Sequence, residues 1–141
     1  MPDITFTAET LRYISLFESV TKTRVKDCLE AEDKLVFVVE PGQANRAVGK
    51  AGENVIRLKN TTGKNIQVIE YSDEPEKFIR NVFYSYGVQK VEIESRGNIV
   101  HATVTVDPKV KGRAIGKNGR NLKIARDVVN RHHDIQSISV A

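Results

Sequence analysis

Lys50 and Lys117 each stand between two glycines, Gly49 and Gly52 in one case, Gly116 and Gly119 in the other. Glycine has no Cβ, so a ligand backbone can lie close against the chain at such a point. The residues that follow read as a helix start, where the first N–H groups have no intrahelical partners and the helix dipole favours an anion. A lysine in the same slot adds a mobile positive charge. The chemistry open to this combination is the holding of a phosphate, and most naturally of a sugar-phosphate backbone. Arg46 and Arg113, one helical turn earlier, can reach a neighbouring phosphate or a base edge.

A lone G-x-x-G means little, because ordinary turns produce many of them. Here the longer pattern Arg-Ala-(Val/Ile)-Gly-Lys-x-Gly occurs twice, at 46–52 and 113–119, with Ala51 and Asn118 in the variable slot. Each copy follows a strand-like run and an acidic-Pro pair, Glu40-Pro41 or Asp107-Pro108. A corner that uses glycine only to turn would explain one copy; lysine in the same slot of both argues for a ligand. Asn54 and Asn121, matched amides just inside each following helix, are placed either to read a base edge or to cap the loop.

Other phosphate chemistries fail on spacing. Gly112-x-x-x-Gly116-Lys117-Asn118 has one residue too few for a Walker A loop, and Asn where Ser or Thr would hold the metal. No G-x-G-x-x-G follows a strand, so neither a nucleotide-hydrolysing enzyme nor a dinucleotide site is expected. His101, His132 and His133 lack the converging ligands of a metal site and read as surface residues. Cys28 reads as a small, partly buried apolar residue in a reducing compartment. Neither a cofactor nor a metal is expected.

The charge is unevenly placed. Residues 1–72 carry ten basic and ten acidic side chains, residues 73–141 twelve and eight, so the second half holds the whole net charge of +4. Within 109–131, eight basic residues, Arg120 among them, face only Asp127. That density attracts a polyanion. The longest apolar run, Leu35–Val39, is too short for a bilayer, and the first thirty residues lack a secretory pattern, so a cytoplasmic protein without membrane contact is expected.

The elements that must position these residues repeat in order: helix, strand, strand, short helix, glycine loop, long helix, strand. Thr7 is a plausible N-cap for a first helix with Tyr13, Ile14, Leu16, Phe17 and Val20 on one stripe. In the second half Phe78, Ile79, Val82, Phe83 and Tyr86 recur at helical spacing up to Gly87, with Ser72 or Asp73 as cap. Aligning Ile66-Gln67 with Ile135-Gln136 requires a second long helix two residues longer than the first. The boundary at 72–74 has no flexible linker, so the two halves, 1–72 and 73–141, are expected to hold a fixed orientation.

This order, with the loops Gly49-Lys50-Ala51-Gly52 and Gly116-Lys117-Asn118-Gly119, resembles two type II KH domains in tandem along essentially the whole chain. Within that class it looks most like the short archaeal form of the NusA family. The resemblance implies an α+β fold, αββααβ in each domain, with a three-stranded sheet covered by helices on one face. It also implies non-catalytic binding of single-stranded RNA and a role in transcription elongation or termination. RNA polymerase enters as a further partner, although no segment resembles the bacterial polymerase-binding region or the S1 domain. A monomer is expected. Two rivals stand beside this reading: a ribosome-assembly RNA binder, and a protein scaffold docking through Val36 and Val38.

The candidate RNA-binding residues are Arg46, Gly49, Lys50, Ala51, Gly52 and Asn54, and Arg113, Gly116, Lys117, Asn118, Gly119, Arg120 and Asn121. Bases would lie between the loop helices and the last strand, over Val48, Val55, Val68 and Ile69 in one domain and Ile115, Leu122 and Ile138 in the other. No aromatic residue lies in either loop or its flanking helices, so no stacking platform is expected there.

Overall fold

The computed structural model describes residues 6–141. Residues 1–5, the start of the expected first domain, lie outside that range. The chain divides into two compact units meeting between Tyr71 and Ser72.

In the first unit α1 (Ala8–Thr21) begins where Thr7 Oγ1 accepts the Thr10 N–H at 3.1 Å, and ends at Lys22 in the left-handed conformation. Strands β1 (Val25–Glu30) and β2 (Lys34–Val39) form an antiparallel hairpin. The short α2 (Ala44–Val48) and longer α3 (Glu53–Thr62) flank the glycine loop. Gly63 (φ 74°) stops α3, and β3 (Asn65–Glu70) pairs parallel to β2. The sheet order is therefore β1-β2-β3, with β3 an edge.

Alternation along β2 decides the layers. Leu35, Phe37 and Val39 share a buried cluster with Phe17 of α1, Ala47 of α2 and Leu58 of α3, so all three helices cover one face. The rings of Phe17 and Phe37 stack 4.2 Å apart at its centre. The expected stripe of Tyr13, Ile14, Leu16 and Val20 packs around them. Lys64 Nζ, just past the α3 stop, donates to Glu30 Oε2 at 2.8 Å and to the Ala31 carbonyl at 3.0 Å, tying the β1–β2 turn to the start of β3. Its hydrogen bond to Glu30 raises the ammonium pKa.

The second unit repeats the order with α4 (Pro75–Val82), β4 (Val88–Arg96), β5 (Ile99–Val106), α5 (Lys111–Ile115), α6 (Arg120–His132) and β6 (Ser137–Val140). Its sheet order, β4-β5-β6, and its mixture of antiparallel and parallel pairing match the first.

Three expectations need correction. First, Leu35 pairs with Ile66 and Ala102 with Ile138, so Ile66 corresponds to Ile138, not Ile135. The second copy is longer by five residues between helix and strand: α6 has 13 residues against 10 in α3, and four residues instead of two precede the strand. Second, α4 does not run on to Tyr86. It begins after Glu74 without a side-chain cap, ends at Val82, and tightens into a 3₁₀ turn, Tyr84–Tyr86, before Gly87 (φ 64°). Third, the histidines are buried. His132 and His133 lie against Phe78, with ring centroids 5.5 and 5.3 Å away, and His133 Nε2 is 2.9 Å from the Ser72 carbonyl. His101 is held between the Ser137 and Ser139 hydroxyls at 2.8 and 3.0 Å. His132 closes α6 on its buried side and His133 follows as its C-cap, so both meet Phe78 instead of solvent.

Because Phe17 is the point where α1 and β2 meet, Phe17→Ala is expected to lower stability by about 3–5 kcal/mol in urea unfolding. Leu11→Ala on the exposed side of α1 is expected to change it by less than about 0.5 kcal/mol.

Candidate nucleic-acid interface

The two glycine corners have nearly the same backbone. Gly49 sits at φ 82°, ψ 167° and Gly116 at 79°, 167°, a region open essentially to glycine alone. Ala51 (55°, 25°) and Asn118 (58°, 26°) are left-handed, as are Gly52 (73°, 19°) and Gly119 (72°, 16°). Asparagine tolerates this region; alanine there stores roughly 1–2 kcal/mol of strain.

Close approach adds a second requirement at the first glycine of each corner. A Cβ on Gly49 would lie 2.9 Å from Asn54 Nδ2, and one on Gly116 2.8 Å from the Asn121 backbone nitrogen. Asn54 Nδ2 in turn donates to the Arg46 carbonyl at 3.1 Å, and Asn121 Nδ2 to the Arg113 carbonyl at 2.8 Å. Of the two roles open to the matched amides, the fold puts their N–H on loop capping. A Cβ on Gly52 or Gly119 would meet no atom within 4 Å, so the outer side of each corner is open.

The alanines of the repeat are explained here too. Ala47 and Ala114 are fully buried, and the short helices that carry them pack on the edge strands β3 and β6. A larger side chain would push the corner off its strand. Neither alanine was among the residues expected to matter, although alanine at the same place in both copies was a signal.

The donor set is narrower than a bare helix start would offer. The Gly52 N–H is taken by the Gly49 carbonyl at 3.1 Å, and the Glu53 N–H by that of Lys50. Gly119 donates to Gly116 at 3.0 Å and Arg120 to Lys117 in the same way. What each corner presents outward is therefore its middle pair, Lys50-Ala51 or Lys117-Asn118, all exposed. Arg46 and Arg113 are exposed beside them. Among the described residues, none of Arg46, Lys50, Arg113 and Lys117 takes part in an ion pair.

The surroundings of the two corners differ. The first helix after the loop opens with Glu53 and exposes Ile56; its counterpart has Arg120 and Lys123 in those places. The expected apolar floor survives in part. Val48, Val55 and Val68 are half-buried, as are Ile115 and Leu122. Ile69 pairs with Val38 on the sheet face away from the helices, so it cannot line the same cleft as Val68.

These features, a mixed three-stranded sheet, three helices on one face and a glycine corner between two of them, define a KH unit present twice. A KH-domain model matches residues 11–73, and a model of the NusA-like second KH domain matches residues 75–141. A Thermoplasma acidophilum protein named "Probable transcription termination protein NusA" is 36% identical over 140 residues, covering 99% of this chain and 97% of its own. Proteins of the same name from Methanocaldococcus jannaschii and Halococcus morrhuae are 34% and 33% identical, over 99% and 98% of this chain and 76% and 99% of their own. The crystal structure of APE1850 aligns with a TM-score of 0.77 at 34% identity, covering 96% of this chain and all of that one. The chain belongs to the NusA family of tandem KH-domain proteins.

Two glycines of one corner should respond differently to the same change. Gly116→Ala meets both a forbidden backbone region and a clash, and is expected to cost about 2–4 kcal/mol. Gly119→Ala meets only the left-handed penalty and is expected to cost about 1–2 kcal/mol. Ala51→Asn is expected to stabilise by roughly 0.5–1 kcal/mol by relieving strain. Urea midpoints of the three variants check all of these.

Proposed function

We propose that this protein binds single-stranded RNA without catalysis, holding the polymer's phosphates at the corners Gly49–Gly52 and Gly116–Gly119, and acts on nascent transcripts as a NusA-type factor in elongation or termination. The observation that carries the reading is the duplicated corner: the same backbone, open on its outer side, with an exposed lysine that has no ion-pair partner among the described residues in both copies. KH units and relatives named as transcription termination proteins support RNA binding and the transcription role. In this reading Lys50, Lys117, Arg46, Arg113 and Arg120 contact phosphates, while Gly49, Gly116, Asn54 and Asn121 set the corner's shape. Ala51 and Asn118 lie against the RNA backbone, and Gly52 and Gly119 keep the outer side clear. Two corners on one chain raise the apparent affinity for a strand long enough to meet both, through effective concentration.

No observation favours a docking role through Val36 and Val38. The second corner is expected to dominate, since Arg120 and Lys123 replace Glu53 and Ile56.

Anisotropy titration with single-stranded RNA tests the proposal. Lys117→Asp/Asn118→Asp is expected to weaken binding at least about tenfold, more than Lys50→Asp/Ala51→Asp, and the combination to leave only residual affinity. Each phosphate no longer neutralised should flatten the slope of log affinity against log salt by about 0.7. Unchanged affinity in a folded quadruple variant would sink the reading.

A further inference from the structure

Where α4 tightens at Phe83, three aromatic residues part company. Phe83 enters the core, Tyr86 leans against it with ring centroids 6.5 Å apart, and Tyr84 turns outward, 83% exposed. No other large apolar side chain among the described residues is as exposed. The turn is held firmly. The Asp107 N–H donates to the carbonyls of Tyr86 and Gly87 at 3.3 and 3.1 Å, which fastens the turn to the segment leading into α5. The turn also packs against α5 itself.

Helix α5 spans only five residues, about 7 Å along its axis, and the Gly116–Gly119 corner lies at its far end. A strand held at that corner and running back along α5 reaches the Tyr84 turn within a few nucleotides. Along the way α5 exposes Lys111 and Arg113. Between them Gly112 has no left-handed φ, and an added Cβ there would meet no atom within 4 Å. Nothing in the fold requires glycine at this place, and glycine weakens a helix. The first unit has no aromatic equivalent, since α1 ends in Thr21 and Lys22.

We infer that Tyr84 is a stacking platform for an unpaired RNA base beyond the Gly116–Gly119 corner, with Lys111 and Arg113 on the intervening phosphates and Gly112 leaving room for the strand. An isolated aromatic ring on a turn packed against the helix that exposes Lys111 and Arg113, with Asp107 also fastened to that turn, suits a planar base carried on an anionic chain. A protein-docking site would instead need a contiguous apolar patch. Because every base has a π-face, the platform lengthens the site without selecting a sequence. The inference rests on the RNA-binding reading above, and it adds an aromatic contact beyond the loops and flanking helices, which themselves hold none.

The test uses the full chain and two RNAs, a tetranucleotide and a decanucleotide of unstructured sequence. Tyr84→Ala is expected to weaken the decanucleotide roughly tenfold and to leave the tetranucleotide unchanged, with the melting temperature preserved. Tyr84→Phe should bind like the native protein, since the ring and not the hydroxyl acts. The inference is overturned if Tyr84→Ala binds the decanucleotide normally while Lys117→Asp/Asn118→Asp does not; the exposed ring then serves another partner. If Tyr84→Ala and the folded quadruple variant of both corners alike leave RNA affinity unchanged, the RNA-binding reading falls, and this inference with it.

Discussion

Each corner depends on one hydrogen bond thrown across a glycine. The asparagine just inside the long helix donates its amide back to an arginine carbonyl in the short helix, Asn54 to Arg46 and Asn121 to Arg113. The bond can form only because nothing projects from Gly49 or Gly116 into its path. It fixes the angle between the two helices, and that angle turns the lysine pair outward while the buried alanine seats the short helix on its edge strand. The motif is thus a packing device first. What it offers to the proposed ligand is what remains exposed once the packing is satisfied.

The two copies keep this device and differ around it. The first corner stores strain at Ala51 and is followed by an acidic residue; the second relieves the strain with Asn118 and is followed by a basic one. Phosphate attraction falls off over about a Debye length, ~8–10 Å at moderate salt, so such nearby substitutions matter more than the net charge of the whole chain. If both corners hold phosphates as proposed, a division of labour follows from the surroundings of the loop, not from the loop.

The order of elements and the place of the two glycine corners between their helices were legible in sequence because they rest on local signals: helical spacing around Phe17 and glycines at matched offsets. What was not legible depends on tertiary contact. Ile69 and Val68 are neighbours in sequence, and only the pairing register shows that they face opposite ways. The spacing of Phe78 to Tyr86 is helical throughout, yet the Asp107 N–H captures the carbonyls at its end and tightens the last turn. His132 and His133 look solvent-bound from their polarity; the Phe78 ring and the Ser72 carbonyl supply the partners that make burial tolerable. Asn54 and Asn121 carried their own clue, since both their identity and their distance from the glycine repeat.

The hydrogen bond from the Gly119 N–H to the Gly116 carbonyl has a chemical side effect. Asparagine followed by glycine is the dipeptide most prone to cyclise, by attack of the glycine nitrogen on the side-chain amide carbon with loss of ammonia. In the folded corner that nitrogen is already engaged, and the Asn118 backbone is held in its left-handed well. The tight turn therefore slows the ageing of its own sequence. A molecule that loosens there converts Asn118 to aspartate or isoaspartate, leaving a permanent negative charge on the most electropositive stretch of the chain.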